Sequence, residues 1–194
     1  VDLMAYDMGR MVLRGLLTRT GLPPETVDRV LMGSVIQDIQ TTNVAREAAL
    51  AAGIPNSVPA FTVTMACISS NQALTSGVDL IRTGLADTVI AGGTETLSDP
   101  PIRVGRPVRK RFFEARHIQG LQNYMDLLEG LDPSELVPEA PSIAEFSTGE
   151  VMGESADKLA AMFGVSREDQ DEYALLSHER AAEATESGRF EDEI

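Results

Sequence analysis

Two short apolar runs with one helix-length segment between them constrain this chain more than any other feature. Phe61 to Ala66 and Asp87 to Gly93 read as strands, and the stretch from about Ile68 to Thr83 reads as the helix between them. Strand, helix, strand at this spacing predicts a βαβ unit with parallel strands. Upstream, Met4, Met8, Met11, Val12, Leu16 and Leu17 fall at helical spacing, and Gly21 followed by Pro23 and Pro24 ends that run. Arg29 to Ile36 reads as a further strand, rich in Val, Leu and Ile. Asn43 is a fitting N-cap for the alanine-rich helix that Gly53 and Pro55 close. The fold class is α/β.

After Asp99 and the Pro100-Pro101 pair the texture changes. A Pro- and charge-rich stretch runs to about Gly149, and two helical patterns follow. The second begins at Ser166 with Asp169 three residues on, a capping-box signature, and stops at Gly188. Residues 1–98 therefore read as an α/β domain and residues 99–194 as an excursion laid over it.

Composition narrows the function classes. The 194 residues are 43% apolar, enough for an ordinary globular core. One cysteine excludes an intrachain disulfide and any metal site built from paired cysteines, which suits a reducing compartment, cytoplasmic or mitochondrial. No apolar run approaches the roughly 18 to 20 residues that span a bilayer. A net charge of −14 argues against nucleic acid as the principal partner. The charge is uneven, because Arg103, Arg106, Arg109, Lys110, Arg111 and Arg116 supply six of the sixteen basic residues. That run continues into Ile118, Leu121, Met125 and Leu128 at helical spacing, with Phe112 and Phe113 beside it. Segment 103–128 has three readings: contact with an anionic membrane surface, docking of a partner chain, or a folded cap that also meets phosphates. The opening at Val1 and the close on an acidic run read as the ends of a piece cut from a longer chain.

Cys67 stands between the second strand and its helix, followed by small or polar residues. A helix start presents unpaired N–H groups and positive partial charge, which favour a thiolate and can cradle an oxyanion. A lone cysteine is also a common core filler. Spacing alone leaves both readings open.

The residues around Cys67 carry a resemblance. Thr64-Met65-Ala66-Cys67-Ile68-Ser69-Ser70, followed by Ala91-Gly92-Gly93-Thr94-Glu95-Thr96-Leu97-Ser98, resembles the N-terminal half of a thiolase. Gln40 to Arg46 resembles the segment before the nucleophile strand, and Phe146 to Gly153 resembles the loop-domain methionine motif. Ser98 to Arg103 and Ser142 to Thr148 are most similar to the 3-ketoacyl-CoA thiolases of the fatty-acid oxidation trifunctional complex.

The resemblance implies a thiolase-like αβαβα sandwich, of which this chain holds the first half only, with the loop-domain excursion. It implies Cys67 as the acyl-thioester nucleophile with its backbone N–H as oxyanion donor. Met152 and Gly153 would line the acyl and pantetheine tunnel, although Val151 stands where many thiolases carry histidine. Gly92 and Gly93 read as packing positions beside the nucleophile helix. The activity implied is acyl-CoA C-acyl transfer: cleavage of 3-ketoacyl-CoA by coenzyme A, a co-substrate, with no metal or resident cofactor. An acetoacetyl-CoA thiolase, a ketoacyl synthase and a non-catalytic partner-binding subunit are the alternatives. Implied partners are a second copy in a homodimer and a hydratase/dehydrogenase alpha subunit. The family's activating histidine and second cysteine lie in its C-terminal half. Here the only histidines, His117 and His178, fall in no segment resembling that motif, so this chain alone is expected to be inactive and prone to aggregate.

Overall fold

The computed structural model describes residues 3–115, 130 and 132–192. They fall into two compact units, Val1–Pro141 and Ser142–Ile194. The first runs α1 (Ala5–Thr20), β1 (Arg29–Gly33), α2 (Val44–Ala51), β2 (Ala60–Val63), α3 (Ser69–Arg82), β3 (Val89–Gly93) and α4 (Arg106–Ala115). The three strands form one sheet in the order β2-β1-β3. Both pairings are parallel, with Val30 opposite Ala60 and Ile90. The predicted βαβ unit is β2-α3-β3, and β1 lies between its two strands.

Alternation along the strands sorts the core into two faces. Val30, Met32 and Ile90 pack with Leu13 and Leu17 of α1 and Ala45, Ala48 and Ala49 of α2. Leu31, Gly33, Ala91 and Gly93 point to the opposite face, where α3 lies; Gly77 of α3 sits against Val89 and Ala91. β1 is covered on both sides, which explains why it reads as a continuous apolar run.

Two strands are shorter than their apolar runs. The run from Arg29 ends at Gly33 because the N–H groups of Val35 and Ile36 turn to the Glu95 carboxylate. The run from Phe61 stops pairing at Val63, and the Met65 N–H instead donates to Ser69 Oγ. In both places a side chain takes the hydrogen bond that a neighbouring strand would have taken.

Asn43 caps α2 as predicted and does more. Its Oδ1 accepts from the Arg46 N–H at 3.2 Å and from Thr62 Oγ1 at 3.0 Å, while Nδ2 donates to the Ala60 carbonyl at 2.9 Å. The Arg46 guanidinium donates to the carbonyls of Val58 and Asn56, both at 2.8 Å. The segment preceding β2 thus fastens α2 to that strand.

At the opposite end of the sheet Asp28 ties β1 to β3. Its Oδ2 accepts from the N–H groups of Asp87 at 2.8 Å and Thr88 at 2.9 Å. The Thr88 N–H, then the Asp87 N–H, and less strongly the charge of Arg29 hold this carboxyl below its ordinary 3.8. A carboxyl whose pKa is lower folded than unfolded contributes stability above the unfolded value and loses it as pH falls through the folded value. Asp28→Asn is therefore expected to lower the melting temperature near neutrality, with the gap to wild type closing in acid. Thermal melts across the acid range check this, and a gap independent of pH would count against the clamp.

Pairing also reorganises the start of the basic segment. Arg103 and Glu139 exchange backbone hydrogen bonds at 3.0 and 2.7 Å. The Glu139 carboxylate meets the guanidinium groups of both Arg103, at 3.4 Å, and Arg109, at 3.3 Å. His117, Arg116 and the apolar positions from Ile118 to Leu128 lie outside the described residues. No helix among the described residues is long and apolar enough to cross a membrane.

The second unit holds α5 (Met152–Phe163) and α6 (Arg167–Glu186). Glu154 accepts the Val151 N–H at 3.0 Å, and Gly164 ends α5 in a left-handed conformation, φ 65°. The predicted capping box is present: Ser166 Oγ accepts the Asp169 N–H at 3.1 Å, and Asp169 accepts the Ser166 N–H at 3.3 Å.

Candidate active site

In a parallel sheet the C-terminal strand ends gather at one edge, where loops from different strands meet. Here the loops after β1, β2 and β3 bring Ser34, Val35, Ala66, Cys67, Ser69, Thr94 and Glu95 around one cleft of about 330 Å³. Cys67 is exposed and lines it. A neighbouring cleft of about 300 Å³, between Ile36, Asp38 and the Pro100-Pro101 pair, has no cysteine in its lining.

The exposure of Cys67 has a local cause. Ala66 has φ 46°, the one positive φ of a non-glycine residue among the described residues. A left-handed alanine costs about 1 to 2 kcal/mol, so its surroundings must hold it. Ser69 does so. Its buried hydroxyl donates to the Ala66 carbonyl at 2.6 Å and accepts the Met65 N–H at 2.8 Å. The Ser69 N–H donates to the same carbonyl at 3.2 Å. The turn reverses the chain between β2 and α3 and leaves the Cys67 side chain facing outward.

Glycines bring the helix start this close to the sheet. A Cβ on Gly33 would overlap the backbone of Ser69 and Ser70, with Ser70 Cα at 2.8 Å. A Cβ on Gly93 would collide with the Ser70 side chain and meet the Gly33 carbonyl at 2.9 Å. Gly93 is therefore a packing position against α3. Gly92 differs, since a Cβ there would meet nothing within 4 Å. The N-cap residue of α3, Ile68, offers no side-chain acceptor. No N-cap side chain therefore competes for the N–H groups of the first turn.

In the lining of the same cleft, Glu95 receives the Val35 N–H at 2.6 Å, the Ile36 N–H at 3.2 Å and the Ser34 hydroxyl at 3.5 Å. Thr64 Oγ1 donates to the Ser34 carbonyl at 2.8 Å, and the Thr94 N–H to the Gly33 carbonyl at 3.0 Å. The three loops are thereby tied to one another.

These contacts involve residues from the two motifs quoted around Cys67 and Glu95, and comparison with known proteins extends the match over the chain. The description "Thiolase, N-terminal domain" fits residues 1–194. This chain belongs to the thiolase family. It is similar to the mitochondrial trifunctional enzyme subunit beta of Homo sapiens, 50% identical over 193 residues, covering 100% of this chain and 41% of that protein. A probable 3-ketoacyl-CoA thiolase of Caenorhabditis elegans is 47% identical over 193 residues, 43% of its length. Among solved structures, an acetyl-CoA acetyltransferase of Bacillus anthracis superposes with a TM-score of 0.75 at 31% identity, covering all of this chain and 45% of that one. The thiolase chain thus spans about two-fifths of the length of its curated relatives, and its α/β unit has the fold of the N-terminal thiolase domain.

The remaining predicted site residues lie in the second unit. Met152 and Gly153 open α5, with Met152 60% exposed. His178 is an exposed residue of α6. The sequence reading did not single out Ser69, Gly33 or Ser34. Ser69 and Glu95 stood within the quoted motifs, but the hydrogen bonds of Glu95 join residues up to 61 apart in sequence, and those of Ser69 close a turn that no residue type there announces.

Proposed function

We propose that this chain is the nucleophile-bearing part of an acyl-CoA C-acyltransferase, a 3-ketoacyl-CoA thiolase of fatty-acid β-oxidation. The observation that carries the proposal is Cys67 on its strained turn, exposed at the strand ends and facing a cleft. The Cys67 thiolate attacks the ketone carbon of 3-ketoacyl-CoA, and the bond to the adjacent carbon breaks. Acetyl-CoA leaves as its enolate and takes up a proton, while the shortened acyl group stays on sulfur. The thiolate of a second coenzyme A then attacks the thioester carbonyl, releases acyl-CoA and restores Cys67. The backbone N–H of Cys67 serves as an oxyanion donor in both steps.

Met152 and Gly153 contact the acyl or pantetheine chain in this proposal. Residues 1–98 carry the nucleophile and residues 99–194 form the loop domain. The trifunctional relatives, mitochondrial beta subunits by name, support a mitochondrial setting and an alpha subunit as partner, in this reading the hydratase/dehydrogenase; a homodimer is part of the same reading. The pairing of Arg103 and Arg109 with Glu139 favours a folded cap for the start of the basic segment.

The outer side of α3 supports the αβαβα architecture. Ala73 and Gly77 face the sheet, while Leu74, Val78 and Ile81 are 51%, 48% and 47% exposed. A helix apolar on both faces belongs between two layers, and the sandwich supplies its second layer there.

Incubation with acetyl-CoA, followed by mass analysis of peptides, tests the role of Cys67. One acetyl group per chain, located on the Cys67 peptide and released by hydroxylamine, is expected. No adduct on a folded chain would leave only the partner-binding alternative.

A further inference from the structure

We propose that Glu95 is a positioning residue of the acyl-transfer site, holding Val35 as a wall of the cleft that Cys67 also lines, a wall that limits the acyl group the cleft admits. The inference rests on the proposed role of Cys67 and adds what shapes the space beside it.

Three observations support it. First, Glu95 makes its contacts with one short segment. Its Oε2 takes the N–H groups of two consecutive residues, Val35 at 2.6 Å and Ile36 at 3.2 Å, and its Oε1 also lies 3.3 Å from the Ile36 nitrogen and 3.5 Å from the Ser34 hydroxyl. A carboxylate receiving two peptide N–H groups makes charge-assisted bonds, about twice as strong as neutral ones. Second, this grip coincides with the point where β1 leaves the sheet. Ser34 still donates its N–H to the Val63 carbonyl at 3.1 Å, but Val35 and Ile36 have turned from the ladder. Glu95 thus fixes where the segment goes once strand pairing ends. Third, Val35 lines the same cleft as Cys67 and is 44% exposed, an apolar side chain presented to the space rather than to the core.

Glu95 acts through the position of a neighbour. Glutamine at this position keeps the length of the side chain but replaces one acceptor oxygen by an NH2 group, which cannot receive the Val35 or Ile36 N–H. The loop then loses the charge of the carboxylate. In either orientation of the amide an NH2 group stands against the Ile36 N–H, which meets both carboxylate oxygens in the wild type at 3.2 and 3.3 Å, so that Val35 loses its fixed place. Chains that fit only with difficulty against the wall gain access, whereas small groups reach Cys67 as before.

Alkylation of Cys67 in the 194-residue chain by N-methylmaleimide and N-hexylmaleimide tests this without any need for turnover. The readout is the ratio of the hexyl to the methyl rate constant. An altered charge beside the thiol affects both reagents alike and cancels in that ratio. Glu95→Gln and Val35→Ala are each expected to raise it by about tenfold, the lower end of what one or two methylene contacts discriminate in a pocket. The double variant is expected to match Val35→Ala alone, because both changes act on one wall. An unchanged ratio in Val35→Ala, or in folded Glu95→Gln, overturns the proposal, as does a double variant in which the two effects multiply. Should circular dichroism show Glu95→Gln unfolded, hydrogen exchange in the wild type decides: protected Val35 and Ile36 amides support the grip, and amides exchanging at the free-peptide rate refute it. A folded wild type in which Cys67 resists even N-methylmaleimide refutes the nucleophile role itself and takes this inference with it.

Discussion

Gly33→Ala is expected to destabilise the α/β unit by about 3 kcal/mol, the upper part of the range for overpacking a close contact. For a chain of this size that corresponds to a fall in melting temperature of roughly 6 to 12 °C. The added Cβ would strike the backbone of Ser69 and Ser70, and backbone cannot swing aside as a flexible side chain can. The start of α3 must lift from β1, and the Ser69 hydroxyl that holds Ala66 in its left-handed turn moves with it. Cys67 should therefore change its alkylation rate together with the loss of stability. Gly92→Ala is the control, since a Cβ there enters open space; it should shift stability by no more than about 0.5 kcal/mol. Thermal melts and alkylation kinetics on the two variants decide the matter. Equal behaviour of Gly33→Ala and Gly92→Ala would show that the close approach does not set the position of the helix.

What could be read from the sequence follows the range of the interactions involved. Periodicity is local, so α1, α2, α3 and the three strands were legible, as were the Asn43 cap and the Ser166-Asp169 box, whose partners stand three residues apart. Strand ends were not. The apolar runs of β1 and β2 continue past the last paired residue; Glu95 ends the first from 60 residues away, and Ser69, only four residues from Met65, ends the second through a turn that its residue types do not announce. Strand order was equally hidden, because nothing in the β2-α3-β3 spacing says that β1 lies between. At the site, the place of Cys67 between strand and helix was visible, and the mechanism that exposes it was not. Alanine gives no sign of a left-handed conformation, which composition rules assign to glycine or asparagine. Gly33 reads as an ordinary position inside the Arg29–Ile36 run until the backbone of α3 is placed against it.

The 194-residue chain is expected to take an acetyl group from acetyl-CoA onto Cys67 and not to cleave 3-ketoacyl-CoA. Carbon–carbon cleavage needs the nucleophile and also a group that delivers a proton to the departing carbon, and positioned proton transfer contributes about a hundredfold to ten-thousandfold. Cys67 is the one thiol in the sequence, so no second cysteine can serve that purpose. His178 lies on the exposed surface of α6, and His117 falls in no segment resembling the family's catalytic histidine. With 3-ketoacyl-CoA and excess coenzyme A, shortened acyl-CoA should therefore not accumulate, because the cleavage that would load Cys67 lacks its proton donor. Cys67→Ser should lower the acetylation by acetyl-CoA by at least about a thousandfold, because a serine hydroxyl with no positioned base is almost wholly protonated at neutral pH. Quantifying acyl-CoA released from 3-ketoacyl-CoA against time, with the S-acetyl peptide formed from acetyl-CoA measured in parallel, separates the two reactions. Sustained turnover by this chain alone would mean that a residue within it moves the proton, and the acidic residue that lines the cleft with Cys67, Glu95, would be the first to replace.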